Sequence, residues 1–202
     1  MCMIITIGRE FGSGGREIGR RLAEKMQIAY YDQEIVTEIA KRTKLAEEYI
    51  RNVEENQPLP LLPITVGRTF SMQLGVMVEQ HQSVFVEQSK VICEMAQKSD
   101  CVIVGRCADY ILRESMPFRL FIYADMKSKM ERCRRKGQLQ QNLNDHDLRR
   151  QILSIDKSRA KYYQFYTEQV WGEKAGYDLC VNTSSIHVEE TVLAIEMFVS
   201  RR

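Results

Sequence analysis

No apolar run in the sequence approaches the roughly 20 residues that a membrane-spanning helix needs, so the reading excludes a membrane helix. A basic N-terminal segment followed by an apolar core and a small-residue cleavage site is also missing. Those are the marks of a secretory leader, and the expected location is therefore cytoplasmic. Histidine is scarce, with His81, His146 and His187 each standing alone. Six cysteines (Cys2, Cys93, Cys101, Cys107, Cys133 and Cys180) contain no Cys-x-x-Cys pair. A structural zinc site is therefore not expected, and the cysteines read as reduced, mostly buried thiols. Charge of one sign is lacking too. The 29 basic and 27 acidic side chains leave a net +2, which provides no bulk cationic surface for nucleic acid. Any basic site must be local. Repeats and low-complexity tracts are absent.

What remains is a chain of 202 residues with 44% hydrophobic content, enough for one ordinary globular domain. Met3 to Ile7 reads as a buried parallel strand, continuous and rich in β-branched residues. Arg16 to Met26 reads as a helix, with Ile18, Leu22 and Met26 at i, i+4 and i+8. A short strand or turn is expected at Ala29 to Asp32, with Asp32 capping a helix from Gln33. A charged helix is expected from Leu45 to Glu55, then a loop from Asn56 to Gly67 that holds Pro58, Pro60 and Pro63. Thr69 to Gln97 reads as helix and Asp100 to Gly105 as the clearest central strand. Pro117 to Ala124 is the next strand, and Lys127 to Lys136 a helix dense in base. A polar hinge from Gly137 to Asn144 precedes a helix from Asp145 to Thr167, a last strand from Tyr177 to Asn182 and a helix from Val188 to Val199. Strands alternating with helices predict an α/β fold, an open and mostly parallel sheet covered on both faces. Ligands of such sheets bind beyond the carboxyl ends of the strands. The turns after Ile7, Val104, Ala124 and Val181 would then share one rim.

The first of those turns carries most of the chemistry. Gly8-Arg9-Glu10-Phe11-Gly12-Ser13-Gly14-Gly15-Arg16-Glu17 lies between a strand and a helix, which is the phosphate-cradling arrangement. Gly12, Gly14 and Gly15 would let backbone N–H groups close on phosphate oxygens. A dinucleotide loop fits less well, because Glu17 stands where its third glycine belongs. The usual loop ends Gly-Lys-Ser/Thr, and here both the lysine and the hydroxyl are missing. Arg16 is the nearest cation and Arg9 another candidate, although an arginine is a fork rather than a point charge. The bland alternative is a tight turn with solvated charges.

This loop, together with Tyr31-Asp32 and Val102-Ile103-Val104-Gly105-Arg106, resembles the cytidylate kinase-like family of P-loop nucleoside monophosphate kinases. The similarity runs over most of the chain and is weakest from about Asn56 to Gln82. It implies a three-layer P-loop kinase fold in a single domain over 1–202, with a core at about 1–40 and 84–202. A helical acceptor-binding insertion at about 41–83 and a short lid at about 133–150 would complete it. The resemblance further implies that Gly12, Ser13, Gly14, Gly15, Arg16 and Glu17 bind nucleotide phosphates, with Arg16 as lysine surrogate. Gly105-Arg106 matches a Gly-Arg-Asp motif that holds the nucleoside monophosphate, with Cys107 replacing the aspartate and Asp109 as a substitute. Asp156-Lys157-Ser158-Arg159 matches an Asp-x-x-Arg motif, which places Asp156 and Arg159 with Asp32, Arg106 and Asp109 at the acceptor. Arg132, Arg134 and Arg135 resemble lid arginines, and Arg132 and Arg135 would close over the transferring phosphoryl group.

The implied reaction is ATP-dependent phosphoryl transfer to cytidylate or another nucleoside monophosphate, with Mg2+. Transfer of this kind asks the protein for position and positive charge. Glu10, Glu17 or Asp32 could hold the metal through water, and the reading leaves its ligands and the oligomeric state open. Small-molecule nucleotides are the expected partners, without nucleic acid or membrane. Two rivals stand beside this reading. One is a nucleotide-binding module without catalysis, motivated by the missing lysine and hydroxyl. The other is a kinase for a non-nucleotide acceptor, motivated by the divergence after Asn56. For each charged group there is also a plain surface role: a solvated face for Arg132 to Lys136, and an i, i+3 ion pair for Asp156 and Arg159.

Overall fold

The computed structural model describes residues 2–50, 68–137 and 143–201. Five strands form one sheet: β1 (Ile4–Arg9), β2 (Ala29–Tyr31), β3 (Cys101–Val104), β4 (Phe118–Tyr123) and β5 (Leu179–Asn182). Their spatial order is β2-β3-β1-β4-β5. Each pairing is parallel, so the expected mostly parallel sheet is wholly parallel among the described residues. Ile7 lies beside both Val104 and Leu120. The carboxyl ends of β1, β3 and β4 therefore open on one rim. The chain leaves β1 for one edge of the sheet and later crosses to the other. The end of β1 is thus the switch point, where α/β sheets gather their ligands.

Seven α-helices whose bounds lie wholly within the described residues surround the sheet. They are α1 (Gly15–Met26), α2 (Gln33–Thr43), α3 (Arg68–Lys98), the short α4 (Ala108–Ile111), α5 (Met126–Lys136), α6 (Asp145–Thr167) and α7 (Val188–Val199). Side chains alternate across a strand, and here both faces are apolar. Ile5, Ile7, Val102 and Val104 pack on one side with Ile18 and Leu22 of α1 and Val192 and Ile195 of α7. Ile4, Cys101 and Ile103 pack on the other side with α2, α3 and Tyr162 and Tyr163 of α6. Burial on both faces explains why these strands read as continuous apolar runs. A third, smaller cluster sets Cys133 of α5 and Leu148 and Ile152 of α6 against Phe11 of the glycine loop. No helix among the described residues is long and apolar enough to cross a membrane.

Two expectations need amendment. Asp32 does occupy the N-cap position of α2, but its side chain makes no capping bond. The carboxylate is drawn instead to Arg16, 2.6 Å from Nε. The expected helix from Leu45 to Glu55 is helical at 47–50, where Ile50 is buried. Residues 45 and 46 are not helical, while 51–55, the proline-rich stretch from Asn56 to Gly67 and most of the hinge after Gly137 lie outside the described residues.

Candidate active site

The glycine loop rises from the end of β1 and enters α1 at Gly15. Gly12 and Gly14 have φ of 75° and 87°, a region that favours glycine. A Cβ on Gly12 would lie 2.9 Å from the Lys129 carbonyl oxygen, so the loop passes very close to α5. A Cβ on Gly14 would meet nothing within 4 Å, so that residue borders open space. Ser13 is buried. Its hydroxyl donates to the Glu10 carbonyl at 2.8 Å and accepts the Gly15 N–H at 3.4 Å, shaping the turn from inside.

A buried ion cluster holds this loop from below. Lys129 Nζ lies 2.7 Å from Glu10 Oε2 and 2.9 Å from Asp156 Oδ2. Asp156 Oδ1 accepts the Phe11 N–H at 2.6 Å, and Glu10 Oε2 accepts the Ala124 N–H at 3.2 Å. Asp156, expected at the acceptor, thus lies beneath the glycine loop and borders neither cavity described below. Its short side chain reaches the loop backbone. Arg159, one turn further along α6, extends past the loop into both cavities. Its Nη1 donates to the Arg9 carbonyl at 3.4 Å, and its guanidinium lies 5.5 Å from the centre of the Phe11 ring. The sequence pair therefore divides into one group under the loop and one above it. Lys129 escaped the sequence reading as a site residue. Its signal was a charge one turn before Cys133, on the stripe of α5 that faces inward.

Above the loop lies a cavity of about 560 Å³, bordered by Gly12, Gly14, Gly15, Arg16, Glu17 and Arg132 among others. Arg132 Nη1 donates to the carbonyls of Gly12 and Ser13 at 3.4 Å each, and Nη2 to that of Thr183. Burial lowers the pKa of its guanidinium. Lys136 pairs with Glu17 and holds that carboxyl below its ordinary range, with help from Arg21. Arg135 borders a neighbouring groove together with Arg132, Lys136, Ser184 and His187, and is not among the residues that border the cavity above the loop.

A second cavity, of about 90 Å³, lies beyond the end of β3. Gly105, Arg106 and Cys107 have φ of 74°, 61° and 53°, a left-handed run that is costly for the two non-glycine residues. It turns Arg106 inward, where Nε donates to the Asp32 carbonyl at 3.3 Å. Burial of the guanidinium lowers the Arg106 pKa to about 10. Gln88 Nε2 donates to the Arg106 carbonyl at 3.0 Å. Asp109 accepts the Tyr163 hydroxyl at 2.6 Å, and burial raises its carboxyl above the ordinary value. Tyr162, Tyr163, Trp171 and Tyr177 supply an aromatic wall that the sequence reading did not assign to the site.

The two cavities meet at Arg9, Arg16, Asp32, Gln33 and Arg159, which border both. The Asp32 carboxylate is buried there. Arg16 bonds it from the solvent side, with 63% of its own side chain exposed. Arg9 is the inner cation, its stem against Gly15 and its guanidinium over Gly105. Among the described residues no group of three or more histidine, cysteine, aspartate or glutamate side chains could hold a metal ion. The three carboxylates expected to do so through water each already pair with a cation: Glu10 with Lys129, Glu17 with Lys136 and Asp32 with Arg16.

Comparison with known proteins fits this geometry. The sequence model of the cytidylate kinase-like family matches residues 4–185. No curated protein matches the chain. An uncharacterized protein from Eubacterium ventriosum ATCC 27560 is 27% identical, with a TM-score of 0.72 and 99% of each chain covered. Shikimate kinase from Bacteroides thetaiotaomicron is 14% identical, with a TM-score of 0.58 and 99% of each chain covered. Shikimate kinase from Acinetobacter baumannii, solved in complex with shikimate, is 16% identical with a TM-score of 0.52. That match covers 100% of this chain and 95% of the other. At such identities the two enzymes show a shared fold and no more.

Proposed function

Because the chain belongs to the cytidylate kinase-like family, we propose that it transfers the γ-phosphoryl group of ATP to a small anionic acceptor. One observation carries this reading. The phosphate cavity and the aromatic-walled cavity share Arg9, Arg16, Asp32 and Arg159 at their junction. A phosphoryl group passing between two substrates must cross such a junction, and cations there would offset the charge on its oxygens. Gly12 to Glu17 and the first turn of α1 cradle the donor phosphates, because the helix N-terminus adds partial positive charge. Arg132 and Lys136 cover them from α5. Arg106 and Asp109, with the tyrosine wall, hold the acceptor. Glu10, Glu17 and Asp32 are each paired with a cation, so Mg2+ would be held by the nucleotide's own phosphate oxygens rather than by these carboxylates, and would offset phosphate charge.

The family resemblance favours a nucleoside monophosphate, cytidylate first. Cavity size favours a second reading, a smaller acceptor carrying a carboxylate or phosphate and a hydroxyl. About 90 Å³ lies below the usual range for pockets that enclose drug-sized ligands. For a hydroxyl acceptor, the Asp32 carboxylate at the junction would receive the proton as the new oxygen–phosphorus bond forms. For a nucleoside monophosphate, the attacking phosphate oxygen has no proton to lose. The test is ADP release by the purified protein with ATP and Mg2+, across nucleoside monophosphates and small hydroxy acids. Turnover with one class assigns the acceptor. ATP binding without turnover on any of them would replace the kinase reading with a nucleotide-binding module.

A further inference from the structure

We infer that Arg9 is the phosphate-binding cation of the glycine loop, and that it reached this place by an exchange of side chains across the loop. In the usual pattern G-x-x-x-x-G-K-[ST], the lysine follows the first glycine by six residues at the junction of loop and helix. Helix α1 begins at Gly15, with Gly14 as its cap. Gly14-Gly15-Arg16 therefore stand at the places of Gly-Lys-Ser/Thr, and six residues before Gly15 is Arg9. The pattern's first glycine has become a cation, and its lysine has become a glycine.

The structure shows why the two changes belong together. A Cβ built on Gly15 would lie 2.6 Å from the Arg9 Cβ and 3.2 Å from its Cγ. A lysine stem at 15 and an arginine stem at 9 cannot both fit there. From that point the Arg9 side chain runs to the end of β3. A Cβ built on Gly105 would lie 1.8 Å from Arg9 Nη1 and 2.7 Å from Cζ. Two glycines far apart in sequence thus leave room for one arginine, whose stem is fixed by packing and whose fork borders both cavities. A planar fork can bind two phosphate oxygens at once. Arg16 is poorly placed for this task, being largely exposed and tied to Asp32.

The inference rests on the reading that the loop holds a nucleotide's phosphates, so its test measures binding as well as turnover. Titration calorimetry with ATP, and separately with inorganic tripolyphosphate, would compare wild type with Arg9→Gly, Gly15→Lys and the double variant. Arg9→Gly should weaken tripolyphosphate binding by about 10- to 100-fold. Gly15→Lys alone should also bind more weakly, because its stem meets Arg9. The double variant restores the usual pattern and should recover at least about tenfold over Arg9→Gly. Arg9→Met keeps the stem and removes only the charge, so it should lose binding with an unchanged melting curve even if Arg9→Gly folds poorly. Wild-type affinity in Arg9→Met, or a folded double variant no better than Arg9→Gly, would overturn the assignment. If wild type binds neither ATP nor tripolyphosphate, both the kinase reading and this one fall. If it binds both in an Arg9-dependent way but never releases ADP, only the kinase reading falls.

Discussion

Replacing Lys129 with methionine removes the cation between two carboxylates beneath the glycine loop. Methionine matches the stem of lysine in volume, so the change is electrostatic rather than a cavity. Lys129 has 5% of its side chain exposed, Asp156 12% and Glu10 26%. Breaking a buried pair by deleting one partner costs about 3–5 kcal/mol, because it leaves charge buried without compensation. Glu10 is partly solvated, which places the expected loss near the lower end, about 3 kcal/mol. For a chain of this size that lowers the melting temperature by about 6–12 °C. The same substitution frees the carboxylate that accepts the Phe11 N–H, so ATP affinity should fall along with stability. Thermal and urea melts read the first effect, and calorimetry the second. Adding Glu10→Gln and Asp156→Asn to Lys129→Met removes the stranded charges and should recover most of the lost stability. If Lys129→Met melts within 2 °C of wild type, a margin set well below that expected drop, the cluster does not support the loop. If Asp156→Asn raises only the acceptor KM and spares ATP binding, Asp156 belongs to the acceptor site after all.

Gly105→Ala would set a methyl group 1.8 Å from Arg9 Nη1 at a backbone φ of 74°. It should reduce turnover by at least about tenfold through displacement of Arg9, which ADP release would measure. Gly12→Ala would press a Cβ to 2.9 Å from the Lys129 carbonyl at a φ of 75°. It should lower stability by about 1–3 kcal/mol in a urea melt. Asp109 gives a pH signature. Burial raises its carboxyl above the ordinary 3.8, so the folded chain keeps that proton to higher pH than the unfolded chain does. Its contribution to stability therefore falls as pH rises from 3.8 through the raised value, and is flat above it. Asp109→Asn should abolish that fall, seen as a pH-dependent difference between wild-type and variant melts.

The fold was legible because its signals are local. Buried strands such as Cys101–Val104 announce themselves by continuous β-branched residues, and helices such as Gly15–Met26 by apolar spacing. The position of the glycine loop was legible for the same reason. Its electrostatics were not, because they depend on where side chains of distant elements end. Arg16 is the nearest cation along the chain, yet it is paired with Asp32, sixteen residues on, and its own side chain stays largely exposed. Arg9 is farther along the chain from the helix start, yet the absent Cβ atoms of Gly15 and Gly105 give it the interior route. Asp156 and Arg159 make a readable i, i+3 motif on α6. Side-chain length then decides their fates, the carboxylate stopping at the Phe11 N–H and the guanidinium passing beyond it. Spacing along one helix thus tells which residues face a site, and the packing around them tells which atoms arrive. In this chain the most informative letters were glycines. At 15 and 105 their missing side chains mark the path of another residue's charge.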